Sequence, residues 1–241
     1  MANVHRKDSI DRDQNDLPGV QDIGGRHGGQ KDTPKPDEQR RQSSPTGQVS
    51  GNGRTGRSTT QTANVVQQVR PATYVFADDG LVPNNILPLL VYRAAIVVGS
   101  DHSERTIEGV FGAHGWGAMW RNGVYDYLHY HATVHEALAV ARGHARVRFG
   151  GDGGDIIELA AGDAVVLPAG TGHQCLWASD DFVVVGAYPP GPPMQITRPT
   201  PENRRPALKT IPDVALPATD PLFGVDGPLV RIWTRAGQAG A

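Results

Sequence analysis

The stretch Gly123–Gly143, GVYDYLHYHATVHEALAVARG, decides how this chain is read. Positions 129–136 carry three histidines and a glutamate, between a tyrosine-rich run and an alternating apolar run. On an extended strand, side chains two apart share a face, so His129 and His131 converge, with Tyr125 and Tyr127 lined up ahead of them. Two imidazoles on one strand face make a ligand pair for a divalent transition metal, although an isolated pair also reads as polar residues on a solvated face. The run that follows raises the metal reading. Glu136 shares parity with Leu138 and Val140, so it faces the interior if they do, and a buried carboxylate needs a partner or a metal. The same parity turns His135 to the opposite side, but its place at the turn keeps it a second-tier candidate.

A second stretch, GDAVVLPAGTGHQC (162–175), reads as a turn, a buried strand and another turn that delivers His173 at the start of a strand. His173 can meet the first cluster across the fold. Cys175, two residues on, faces the same interior, either touching the site or serving as a small apolar filler.

The two stretches resemble the paired motifs of the cupins. The first motif, G-x5-H-x-H-x4-E-x6-G, is met at Gly123, His129, His131, Glu136 and Gly143. The second, G-x5-P-x-G-x2-H-x3-N, is met at Gly162, Pro168, Gly170 and His173, with Trp177 in place of the final Asn. The stretches GWGAMWRNGVYDYLHYHATVHE, GAYPPG and DPLFGVDGPLVRIW are similar to bacterial single-domain cupins of the YjlB type, over Tyr74 to Trp233. This resemblance implies an all-β double-stranded β-helix, a jelly-roll barrel, as a single cupin domain over 71–241, with its motifs at 123–143 and 162–177. It also implies one metal, held by His129, His131, Glu136 and His173.

The rest of the pattern agrees with a β-rich fold. VYDYLHYH, ALAVAR, ARVRFG, DIIELA, AVVLPA and FVVVGAY read as short strands separated by Gly, Asp or Pro. Before them, SERTIEGVFGA reads as the one short helix, with Ser103 as N-cap and Ile107, Val110 and Phe111 on one face. The proline-punctuated C-terminal part reads as mostly extended and ends in a strand, PLVRIW. Residues 1–70 contain no Phe, Tyr or Trp and no apolar periodicity, which predicts a disordered tail or a start codon assigned upstream of the true one.

Charge follows the same division. Of 23 basic and 25 acidic residues, 11 and 8 fall in 1–70, which leaves 71–241 acidic and without an electrostatic reason to bind nucleic acid. No run approaches the ~18 apolar residues of a membrane span, and no signal peptide is seen, so a cytoplasmic location is expected. The single cysteine allows no internal disulfide. Exposed sheet edges lead us to expect a homodimer.

The expected activity is that of a small-molecule metalloenzyme with an open site on Fe, Mn, Ni or Zn. Dioxygenase-type chemistry is favoured over isomerase or lyase chemistry, and a non-catalytic sensor or storage protein is the alternative. Arg121, before the ligand strand, is expected to meet an anionic substrate. Tyr125 and Tyr127 are expected to line the pocket and Trp177 to narrow it, with core or rim packing as the other role for each.

Overall fold

The alternation in EALAVAR forms the centre of the molecule. The computed structural model describes residues 65–99 and 101–239. Its strands are β1 (Ala72–Tyr74), β2 (Leu89–Tyr92), β3 (Gly117–Asn122), β4 (Glu136–Arg142), β5 (His144–Phe149), β6 (Asp155–Ala160), β7 (Ala164–Leu167), β8 (His173–Ala178) and β9 (Val183–Tyr188). Helix α1 (Ser103–Ala113) precedes β3, and α2 (Pro201–Thr210), a 3-10 turn (Ile211–Asp213) and α3 (Pro228–Ala239) follow β9.

Six strands pair antiparallel in the order β1-β2-β7-β4-β9-β3, and three more in the order β6-β5-β8. Period-two alternation gives β4 two working faces. Leu138 and Val140 point into a core shared with Leu89, Val165, Val184, Val147, Phe149 and Ile157, which lies between the two sheets. Ala137, Ala139 and Ala141 point the other way, onto a second core with Ile107, Val110 and Phe111 of α1 and Leu229 and Trp233 of α3. The small alanine side chains let these bulky groups pack close to the sheet.

The closed jelly-roll barrel expected from the sequence is not formed. Among the described residues the strands divide into two separate sheets, each keeping its own two edges, and three helices are spread along the sequence instead of one before a barrel. Two physical reasons are visible. The outer face of the large sheet is covered by helices. The run VYDYLHYH, expected as a full strand, is irregular: His129 bridges His173 on one side while Tyr130 bridges Thr197 on the other.

The C-terminal reading also changes. PLVRIW is helical, because Leu229, Ile232, Trp233 and Ala236 recur at the helical period and Pro228 sits in the first turn, where its missing N–H costs nothing. Asp220, fully buried, accepts from the Leu229 N–H (3.0 Å), satisfying one otherwise orphaned donor of α3. Pro201 opens α2 in the same way, with Thr200 as N-cap accepting from the Asn203 N–H. In α1, His102 occupies the N-cap position, and the Ser103 hydroxyl donates to the Gly99 carbonyl.

Of the stretch expected as a tail, residues 1–64 lie outside the described residues. Val66 pairs with Ile96 in an isolated bridge, and the Gln67 N–H donates to the Ala95 carbonyl. Among the described residues, no helix is long and apolar enough to cross a membrane.

Candidate metal centre

Backbone pairing gathers the three histidines. His129 and His173 exchange N–H···O bonds (3.2 and 2.9 Å), which sets their rings 4.0 Å apart between centroids. The Gly170 N–H donates to the His131 carbonyl (2.7 Å), locking the turn before His173 to the first motif. Gly170 has φ +89°, and a Cβ there would stand 2.6 Å from the Asn84 carbonyl oxygen, so the turn requires glycine. One nitrogen from each of His129, His131 and His173 lies within 4.8 Å of the others, in a buried cluster that can hold a metal ion.

The other ring nitrogens are committed. Nδ1 of His129 faces the Tyr127 carbonyl (3.0 Å), that of His131 the Gln195 carbonyl (2.8 Å), and that of His173 the Thr171 carbonyl (3.1 Å). A carbonyl only accepts, so each Nδ1 carries a hydrogen, and each ring when neutral turns an Nε2 lone pair toward the cluster.

Glu136, the first residue of β4, stands beside two of the three rings, those of His131 and His173. Its Oε1 accepts from the Tyr188 hydroxyl (2.8 Å), which in turn accepts from the Trp120 indole N–H (2.8 Å). Its Oε2 has no hydrogen-bond partner and stands 3.4 Å from Nε2 of both His131 and His173, too far for a well-formed bond. An uncompensated carboxylate oxygen in an apolar surround is costly, and a cation at this convergence would offset that cost.

Electrostatics agree with that fit. Burial holds His129 down to about 4 and His173 well below its ordinary range, so both are neutral at pH 7. Burial also opposes charge on His131, but the neighbouring Glu136 carboxylate wins and raises its proton affinity. Burial raises Glu136 too, yet His131 and the other polar neighbours outweigh it and leave the carboxyl at about 2. Burial and the Glu136 charge push Tyr188 far up, so its hydroxyl keeps the proton it donates.

The remaining candidate residues are distributed unevenly. Tyr125 and Tyr127 stack on each other (4.8 Å) and both rings lie against His129 (5.3 and 5.4 Å). Cys175 packs against the core between the sheets, and its backbone N–H donates to the Tyr125 carbonyl. Trp177 is half exposed beside His144. Arg121 is exposed and held by both oxygens of Glu108 on α1 (2.6 and 2.7 Å). His135 is buried on the helix side of the sheet, with its ring against Trp233 and its Nδ1 accepting from the Ala169 N–H (2.9 Å). Two surface clefts, of about 750 and 310 Å³, include none of the three clustered histidines.

Sequence reasoning missed Tyr188, Trp120, Gln195 and Arg198. Tyr188 was within reach, because it shares parity with Val184, which faces the core between the sheets. Gln195 and Arg198 lie in an irregular segment with no periodic signal. Their roles depend on where the chain returns in space.

No protein-family model matches the chain. The Bacillus subtilis (strain 168) protein named "Uncharacterized protein YjlB" is 43% identical over 164 residues, covering 68% of this chain and 96% of the relative. Among solved structures, NovW, a 4-keto-6-deoxy sugar epimerase of Streptomyces spheroides, is 12% identical with a TM-score of 0.31, covering 73% of this chain and 94% of that one. An uncharacterized conserved protein with a double-stranded beta-helix domain from Klebsiella pneumoniae is 15% identical with a TM-score of 0.28, covering 63% and 100%. Likenesses that slight carry no inference about activity, whereas the match to the Bacillus relative spans nearly the whole of that protein and two thirds of this chain. The chain belongs to the YjlB-like proteins.

Proposed function

We propose that this protein is a small-molecule metalloenzyme in which His129, His131, His173 and Glu136 hold one divalent transition metal. The observation that carries this reading is the unpaired quartet: three Nε2 lone pairs and Glu136 Oε2 converge, while every other polar atom of those side chains has a partner. Three imidazoles and a carboxylate suit Fe(II), Mn(II), Ni(II) or Zn(II) and leave room for a small ligand on a six-coordinate ion. Such a metal, when bound, supplies Lewis acidity and, as iron, dioxygen-dependent oxidation, which is the chemistry we favour.

The chain's own residues prepare the site for that role. The Tyr127, Gln195 and Thr171 carbonyls fix ring orientation and set the tautomer that leaves each Nε2 free to ligate. Tyr188 fixes Glu136 through Oε1 and keeps Oε2 available. Phe149 lies 6.5 Å from the His173 ring, and the Tyr125–Tyr127 pair packs against His129.

The reading is tested by anaerobic purification, metal quantification and Fe(II) loading, followed by oxygen-uptake measurements with small acids, thiols and diols. Uptake stimulated by a member of the panel is expected. A fully loaded protein that consumes no oxygen with any of them contradicts the oxidative chemistry.

A further inference from the structure

The segment after β9 returns to the metal centre and brings a cation with it. The Gln195 carbonyl accepts from His131 Nδ1, and Thr197 exchanges two backbone bonds with Tyr130 (2.9 and 3.0 Å). Arg198 follows, with its guanidinium carbon 3.3 Å from the centroid of the Tyr127 ring. Its carbonyl accepts from the Thr200 N–H and the Asn203 side-chain amide at the start of α2, so the backbone at this residue is held on both sides. Tyr127 is the ring beside His129, which leaves Arg198 one aromatic ring away from the cluster.

Arg121 carried the sequence expectation of an anion contact, but Glu108 engages it. Arg198 has no carboxylate within ion-pair distance among the described residues, and the residue is exposed. Stacking on Tyr127 leaves the in-plane N–H donors open, in the fork geometry that pairs with a carboxylate. A divalent ion held by one carboxylate, with a guanidinium one ring away, would make the site electropositive and favour anions.

We propose that Arg198, laid on Tyr127, anchors the carboxylate of the substrate, so that the centre acts on a small organic acid. This rests on the metal reading above. Binding supplies the anchor and no bond is made or broken at Arg198, which makes it a specificity residue.

The test uses Co(II)-loaded full-length protein, whose visible spectrum reports ligand binding without turnover. Lactate, pyruvate and succinate are titrated, with lactamide as the neutral counterpart of lactate. Wild type is expected to bind at least one of the acids, and lactate more tightly than lactamide. Arg198→Ala should weaken acid binding by about tenfold to a hundredfold, with metal content and lactamide binding unchanged. Arg198→Lys, which keeps the charge but not the fork, should restore only part. If loaded Arg198→Ala binds the acids like wild type, or wild type binds none of them, the anchor is wrong while the metal centre stands. A protein that takes up no Co(II) overturns the centre itself and the anchor with it.

Discussion

Tyr188 donates its hydroxyl to Oε1 of Glu136 at 2.8 Å, and this bond divides the carboxylate into one satisfied oxygen and one free oxygen. The free oxygen faces the imidazoles. Without Tyr188 the carboxyl can rotate and offer either oxygen, so its position is less well defined. Tyr188→Phe should therefore lower divalent-metal affinity by about tenfold to a hundredfold, with the fold retained. Chelator competition followed beside circular dichroism separates the two effects. Unchanged affinity would remove Tyr188 from the site.

Gly186 makes the Tyr188 bond possible at one remove. It lies opposite Trp120 in the β3–β9 register, and a Cβ on it would stand 2.1 Å from the indole. Gly186→Ala must displace the ring whose N–H meets Tyr188. A loss of about 1–3 kcal/mol in urea unfolding is expected, accompanied by weaker metal binding. An unaltered urea midpoint would contradict this packing.

Asp220 joins the C-terminal helix to the large sheet. Buried completely, it accepts from the Tyr92 hydroxyl (2.6 Å) and from the Leu222, Phe223 and Leu229 N–H groups (2.8, 3.2 and 3.0 Å). Asp220→Ala leaves several buried donors unpaired, each costing about 1–3 kcal/mol. We expect destabilisation above about 3 kcal/mol and a loss of helical signal in far-UV circular dichroism. A variant as stable as wild type would show that α3 docks without this anchor.

His135 sets an acid limit on stability. Burial lowers its pKa to about 4 from the ordinary 6.5, the Ala215 carbonyl opposing only in part, so the folded protein keeps the ring neutral in a range where the unfolded chain protonates it. The unfolded state then binds more protons, and stability falls as pH drops from 6.5 toward 4, by roughly 3 kcal/mol for this group. His135→Asn retains an acceptor for the Ala169 N–H but has no proton to gain. Its stability should fall less steeply over that window than wild type's. Parallel pH curves for the two proteins would refute the assignment.

Much of this arrangement was legible before any coordinates. The spacing of His129, His131 and His173 singles out the residues that the structure gathers, because i, i+2 parity and a glycine-dependent turn are local properties. Strands β4 to β9 were legible for the same reason. That the sheets stay open was not: alternation in β4 shows two faces but does not say that the alanine face will be covered by helices. Proline misled at both C-terminal helices, since Pro201 and Pro228 mark helix starts as well as extended chain. Arg198 and Gln195 were out of reach, because only the return of the chain past Tyr130 gives them their neighbours.

The central claim is that these four side chains form one metal site. It is tested most directly by metal content per chain, measured by mass spectrometry after loading and desalting, for wild type, His129→Ala, His173→Ala, Glu136→Gln and the exposed control His144→Ala. The account predicts about one divalent ion per chain in wild type and in His144→Ala, and little or none in the other three. Equal metal content in all five proteins would contradict it.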